Sequence, residues 1–241
     1  MRAVPSDLDP SVVAEIDSRL LAVATEHNAT VLWAIESGSR AWGFPSPDSD
    51  YDCRFLYVLP RDAYLSLWQT RDVIETPLDK IFDVNGWDVA KAIRLMVKGN
   101  ATVTEWLRSP IVYSGDASFR DSMLELAAQV IDPVLLQRHY LHVGRFQWDG
   151  DEGPVKRTFY ALRAAASLRW LRHNEGVPPM DLPTLLAESS PSADVLEQAA
   201  AMIAAKAVTR EMGVGAAPTS IARFVLDEFE LADEYFRSLL A

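Results

Sequence analysis

Residues 36–58 read ESGSRAWGFPSPDSDYDCRFLYV. The apolar run VLWAIE (31–36) stops at Ser37-Gly38-Ser39, and a second β-favouring run, YDCRFLYVL (51–59), begins among three alternating aspartates, Asp48, Asp50 and Asp52. A short apolar run closed by a glycine is a buried strand running into a tight turn, here followed by a short helix. FPSPDS, rich in proline and serine, is a loop. Side chains two apart on a strand share a face, so Asp50 and Asp52 project side by side and need a counter-charge. A hard divalent cation supplies one, since Mg²⁺ is bound by one or two carboxylates together with substrate phosphates. Gly38 lets the backbone approach a phosphate closely, and the N–H groups that follow it, with the Ser39 hydroxyl, can donate to its oxygens.

Two other readings use the same residues. In one, DSDYD is a solvated turn with Asp48 as a cap. In the other it opens a calcium loop, but such a loop needs Gly at its sixth position and Glu at its twelfth. Those positions hold Cys53 and Leu59.

Outward from this stretch, residues 10–26 carry apolar residues at helical spacing behind a proline, which predicts an amphipathic helix. PRDAYLSLW predicts a short helix, RDVIET a strand and KIFDVNGW another strand. DVAKAIRLMVKG predicts a helix with Asp88 as N-cap and Gly99 as its stop. From Thr102 onward the pattern is helical, with segments at 117–131, 133–148, 154–173, 191–212 and 218–240, and breaks at 149–154, 176–183 and 213–218. The fold class is therefore α+β: a mixed sheet with flanking helices over residues 1–115, then a helical bundle over 116–241.

Composition narrows the function. The 241 residues are 49% hydrophobic and 24% charged, enough apolar mass for a folded core. MRAVPSDLDP lacks the apolar stretch of a secretory signal, and no run approaches the roughly 18 apolar residues of a membrane helix, so a cytoplasmic protein without membrane attachment is expected. A single cysteine, Cys53, excludes a disulfide framework and a cysteine-based zinc cluster. His139 and His142 in HYLH lack a nearby third ligand and read as structural. The net charge of −11 argues against broad attraction to nucleic acid but leaves room for a local basic groove.

The apolar strand, Gly38-Ser39, ten residues, then Asp50-x-Asp52 followed by FLYV resembles the nucleotidyltransferase superfamily of DNA polymerase β. GSRAWGFPSPDSDYD, followed by DVNGW, KGN, EWL and SPIVY, is similar to the YcgL-type nucleotidyltransferases, also described as the RNA-repair-pathway polymerase β family. The likeness is strongest over residues 30–115. VKRTFYALRAAASLRW and PPMDLPTLL extend it, less distinctively, into the helical part.

The resemblance implies a polymerase β-like catalytic domain followed by a helical domain that binds substrate or nucleotide. It also implies transfer of a nucleoside monophosphate from a nucleoside triphosphate, ATP being the expected one, to a hydroxyl on an RNA end, a protein or a small molecule. Two Mg²⁺ or Mn²⁺ ions held by three carboxylates would neutralise charge on the attacking and leaving oxygens. Asp50 and Asp52 take two of those roles by position. The third belongs on a neighbouring strand between apolar residues, as Asp83 is in IFDV. Asp88 in GWDV is the alternative, although its place at a helix start is explained by capping. A non-catalytic nucleotide-binding module on the same fold is the rival function.

Several cations could face the nucleotide. Lys91, Arg94 and Lys98 share a helix side, and the family likeness favours Lys91. Asn100 and Glu105 match the family's KGN and EWL. Arg40 beside the turn, and Lys156, Arg157 and Arg163 on VKRTFYALRAA, are further candidates, with Lys156 and Arg163 facing alike. Of the seven tryptophans, Trp42 is the one placed to stack on a base. Oligomeric state is not legible.

Overall fold

The structure, a computed structural model, describes residues 1–68, 70–77, 79, 81–148, 150, 152–210 and 213–239. The strand read from Lys80, the break containing Asp149 and Asp151, and the helices read through Glu211, Met212 and Leu240 thus fall partly outside the described residues. The chain forms two compact units.

The first unit comprises Met1–Ala41, Ser49–Lys98 and Thr102–Val130, so it runs through the helix after the 115/116 division read from sequence. Its elements in chain order are α1 (Pro10–Glu26), β1 (Thr30–Glu36), α2 (Gly38–Ala41), β2 (Tyr51–Val58), α3 (Arg61–Tyr64), β3 (Val73–Glu75) and β4 (Phe82–Asp88). α4 (Val89–Val97), α5 (Thr102–Leu107), β5 (Val112–Gly115) and α6 (Ala117–Val130) follow. The sheet order is β3-β4-β2-β1-β5, with β2 and β4 parallel and the other pairs antiparallel. The mixed sheet is as the α+β reading expected.

β5 lies in the stretch before residue 117 to which the sequence reading assigned no helical segment: Val112–Gly115 pairs with β1 at the sheet edge. Four residues are too few to show a period, and both Val112 and Tyr113 are buried, Tyr113 in the first unit's core. The unit's core joins Val12, Ile16 and Leu20 of α1 to Ala34, Phe55, Tyr57 and Val84 of the strands. α1 begins where Asp9 accepts the Ser11 N–H at 2.8 Å and Pro10 takes the first turn. Gly86 lies opposite Phe55 in the parallel register, and a Cβ there would stand 2.1 Å from the Phe55 ring, so β4 holds a glycine where β2 holds its bulk.

The second unit comprises Trp42–Asp48, Gly99–Ala101 and Ile131–Ala241, described as far as Leu239. It holds α7 (Pro133–Gln147), β6 (Glu152–Pro154), α8 (Val155–His173), α9 (Leu182–Ser189), α10 (Ala193–Val208), β7 (Val214–Ala216) and α11 (Thr219–Ser238). Its core centres on α8, whose Phe159, Leu162, Ala165, Ala166 and Leu168 pack with Phe44, Leu136, Leu185, Val225 and Phe229. Two departures from the sequence reading occur here. The breaks near 152 and 214 pair as a small β6–β7 ribbon, and the proline-rich 176–183 segment leads into α9, with Asp181 accepting the Thr184 N–H at 2.9 Å.

Candidate active site

The site is built on the first unit, where β1 ends and β2 begins. Ser37 N–H donates to the Asp52 carbonyl at 2.8 Å, and Asp52 N–H donates to Glu36 Oε1 at 3.0 Å, fastening the Gly-Ser turn to the start of β2. Gly38 has φ +59°, and a Cβ on it would stand 2.0 Å from Asp52 Oδ2. The Asp52 carboxylate therefore rests against bare backbone, which only glycine offers there.

Glu36 lies behind this contact, fully buried, and accepts the Tyr113 hydroxyl at 2.7 Å. Burial pushes its carboxyl up to about 7, against the hydrogen bonds from Tyr113 and Asp52 that favour the charged form. Neither Glu36 nor Tyr113 was singled out from sequence. Both occupy buried strand positions that resemble ordinary core until β5 is seen beside β1.

The parallel register between β2 and β4 pairs Asp52 with Asp83. β4 alternates, with Phe82, Val84, Gly86 and Asp88 buried and Asp83, Asn85 and Trp87 on the more open face. Arg54, two residues after Asp52 on β2, lies between the carboxylates: its Nη2 is 3.1 Å from Asp52 Oδ1 and 2.6 Å from Asp83 Oδ2. Its Nη1 donates to the Asp83 carbonyl at 2.7 Å. Asn85 Nδ2 donates to Asp83 Oδ1, while Asn85 Oδ1 is buried without a partner. Both carboxylates remain 28% accessible, so the site is open. Arg54 was missed, although the two-residue strand period that linked Asp50 with Asp52 extends to it.

The other candidates divide. Asp50 is exposed on the loop just before β2. Arg40 is engaged with that loop, donating to the Ser49 carbonyl at 2.7 Å and the Asp50 carbonyl at 3.2 Å, with its guanidinium 3.9 Å from the Tyr51 ring centre. Ser39 Oγ bonds to Ser49 Oγ at 2.9 Å. Asp88 caps α4 through the Ala90 N–H at 2.8 Å and accepts the Tyr64 hydroxyl at 2.5 Å, on the buried face of β4 opposite to Asp83.

Lys91 is paired with Asp72 at 3.1 Å, and Arg94 binds the same carboxylate at 2.9 Å. Burial would raise Asp72, but these two cations hold it below its usual range. In the second unit, Lys156 lies over Tyr160, and the buried Arg163 guanidinium sits 4.5 Å from the Trp42 ring centre. Trp42 packs edge-on to Tyr160 and lies partly buried against the second unit's core.

Among the described residues, no group of three or more His, Cys, Asp or Glu side chains forms a ready metal cage. Asp52 and Asp83 share Arg54 as their counter-charge. No helix among them is long and apolar enough to cross a membrane.

The chain belongs to the RNA repair pathway DNA polymerase beta family (RlaP), whose family model matches residues 12–240. It is 33% identical over 230 residues to the uncharacterized protein YcgL of Bacillus subtilis strain 168, across 94% of this chain and 88% of that protein. It also has a likeness, at a TM-score of 0.33 and 10% identity, to the crystal structure of a nucleotidyltransferase-like protein from Exiguobacterium sibiricum 255-15, covering 90% of this chain and 74% of that one.

Proposed function

We propose that the protein moves a nucleoside monophosphate from a nucleoside triphosphate, ATP first among them, to a hydroxyl acceptor with release of pyrophosphate. Asp52 and Asp83, joined by Asp50, hold Mg²⁺ or Mn²⁺ for the transfer. The observation that carries this reading is the parallel pairing that sets Asp52 beside Asp83 next to the Gly38 turn.

The donor set fits a hard cation. Two accessible carboxylates lie beside the buried, unpartnered Asn85 Oδ1, and Mg²⁺ commonly takes only one or two protein carboxylates, the rest of its shell being water and substrate phosphate. When bound, the ion supplies charge neutralisation at the attacking and leaving oxygens. The chain's own part is positioning. Gly38 admits the Asp52 carboxylate, Glu36 and Ser37 fix its backbone, and Asn85 orients Asp83. Gly38 and Ser39 are the phosphate contacts of the turn. Arg40 supports the site by holding the loop before β2.

An RNA end is the acceptor that the family's description supports. One observation favours the rival, a nucleotide-binding module without catalysis: Arg54 already neutralises the carboxylate pair. Labelled nucleoside triphosphates, incubated with the protein, Mg²⁺ or Mn²⁺, and either total RNA or total protein, separate the two. Pyrophosphate release with labelling of an acceptor, lost in an Asp50→Asn/Asp52→Asn double variant that still folds, supports the enzyme. Nucleotide binding with no turnover supports the rival.

A further inference from the structure

At the carboxyl end of the parallel β2–β4 pair lies a cavity of about 200 Å³, whose wall includes Tyr64, Trp68, Arg71, Asp72, Asp88 and Arg94. Open sheets of parallel strands collect ligands at this end. The candidate active site lies elsewhere: Asp83 stands near the start of β4, and Asp88 at its finish on the opposite face.

The inner wall carries a charge that nothing neutralises. Asp88 is only 4% accessible; it accepts the Ala90 N–H and the Tyr64 hydroxyl, but among the described residues no cation pairs with it. Lys91 and Arg94 both go to Asp72 instead. A buried carboxylate is normally paired, and the start of α4 offsets only part of its charge. Tyr57 stands opposite Asp88 in the β2–β4 register, fully buried, and its hydroxyl has no hydrogen-bond partner. The charges that act on this hydroxyl belong to Asp88, Asp72, Tyr64 and Arg71, all of them on the cavity wall, so it is directed at that wall. A carboxylate with lone pairs to spare and a hydroxyl without a partner both call for a donor that carries positive charge.

The mouth has the other sign. The Arg71 and Arg94 side chains are 70% and 57% accessible. Each spends one guanidinium nitrogen on a neighbouring carboxylate, Glu75 and Asp72 respectively, and keeps further N–H groups for another acceptor. Trp68, 84% accessible, stands beside them as an uncovered apolar surface.

We propose that this cavity binds a small zwitterion of the free amino-acid class. Its ammonium meets Asp88 and the Tyr57 hydroxyl, its carboxylate meets Arg71 and Arg94, and its side chain lies against Trp68 and Tyr64. A ligand with only positive charge would face the two arginines at the mouth, and one with only negative charge would face Asp88 within. The volume is below the roughly 300–1,000 Å³ of pockets for drug-sized molecules, which restricts the ligand to a small one. The site stands whether or not the protein transfers nucleotides.

The test is calorimetric titration of the full chain at neutral pH with L-alanine, L-valine and L-leucine. The amine and carboxylate analogues of the tightest binder follow; for valine these are isobutylamine and isovalerate. Asp88→Asn keeps the α4 cap, Tyr57→Phe removes a hydroxyl that has no partner, and Arg71→Ala alters an exposed position, so all three are expected to fold, as circular dichroism would check. The site predicts millimolar or tighter binding of at least one amino acid, weakened about tenfold or more by each variant and unchanged in Asp52→Asn. Both analogues should bind more weakly than the amino acid. No binding of any of the three at millimolar concentration, or equal affinity in wild type and the folded Asp88→Asn and Tyr57→Phe variants, overturns the site. Either analogue binding as tightly as the amino acid overturns the zwitterion. Binding lost in Asp52→Asn but kept in Asp88→Asn would put the ligand at the Asp52–Asp83 pair and overturn the proposal as well.

Discussion

Asp52 and Asp83 stand opposite one another across the parallel β2–β4 pairing, and one guanidinium nitrogen of Arg54 touches both. A cation of the protein's own thus holds the place between the carboxylates. Removing it leaves two like charges facing each other, which lowers stability until another cation arrives. Arg54→Met should therefore unfold more easily without divalent ions, by about 1–2 kcal/mol for so accessible a cluster. It should also gain more from Mg²⁺ than the wild type does, since a ligand stabilises the state it binds. Thermal unfolding of both proteins across a Mg²⁺ titration measures this, and equal Mg²⁺ responses would contradict it.

Gly38→Ala tests the turn. The new methyl would overlap Asp52 Oδ2 and sit at φ +59°, so both the carboxylate and the backbone must shift. A stability loss of about 1–3 kcal/mol is expected, with turnover falling about 100-fold, the scale for a misplaced reacting group. Ser39→Ala, which removes only a hydroxyl bonded to Ser49, should cost far less on both counts. Parallel denaturant melts and rate measurements compare the two.

The choice between Asp83 and Asp88 is open to substitution. Asn caps helices about as well as Asp, so Asp88→Asn should keep α4 and most of the turnover. Asp83→Asn should retain the fold and lose about 100-fold or more in rate. The reverse ranking, measured as turnover at saturating nucleotide, would make Asp88 the functional carboxylate.

Lys206 gives a pH dependence of defined sign. Burial chiefly, then the charge of Lys156, lowers it from 10.5 to about 8, with Asp48 opposing. Between about 8 and 10.5 the unfolded chain therefore binds more protons at this site than the folded one, so its contribution makes stability rise with pH. At neutral pH the folded lysine is charged and costs up to about 3 kcal/mol. Lys206→Met should thus be more stable than wild type at neutral pH, and the difference should shrink as pH rises through that window. Denaturant unfolding of both proteins at stepped pH reads this directly.

Much of the fold was legible where the pattern was long. α1, α6, α7 and α11 show helical spacing over four turns or so, and β1 and β2 show apolar runs beside a glycine-bearing turn. β5, α9 and the β6–β7 ribbon were not, because three to eight residues carry too little period and owe their form to partners distant in sequence. At the candidate site, Gly38 and Asp52 were singled out by residue type and alternation and Asp83 through the family resemblance, and the β2–β4 register sets Asp83 beside Asp52. That Lys91 and Arg94 both go to Asp72 was not legible, since ion pairing between α4 and a loop 19 to 22 residues earlier depends on tertiary approach. The burial of Lys206 was equally hidden, because a lysine near the end of an amphipathic helix ordinarily faces water.

The central claim is tested most directly by following pyrophosphate release from labelled nucleoside triphosphate in the presence of RNA and Mg²⁺ or Mn²⁺, with wild type and Asp52→Asn side by side. Release with label joined to RNA in the wild type, abolished by chelation and by the single substitution in a folded protein, is the predicted result. Release that continues unchanged in Asp52→Asn would contradict the account.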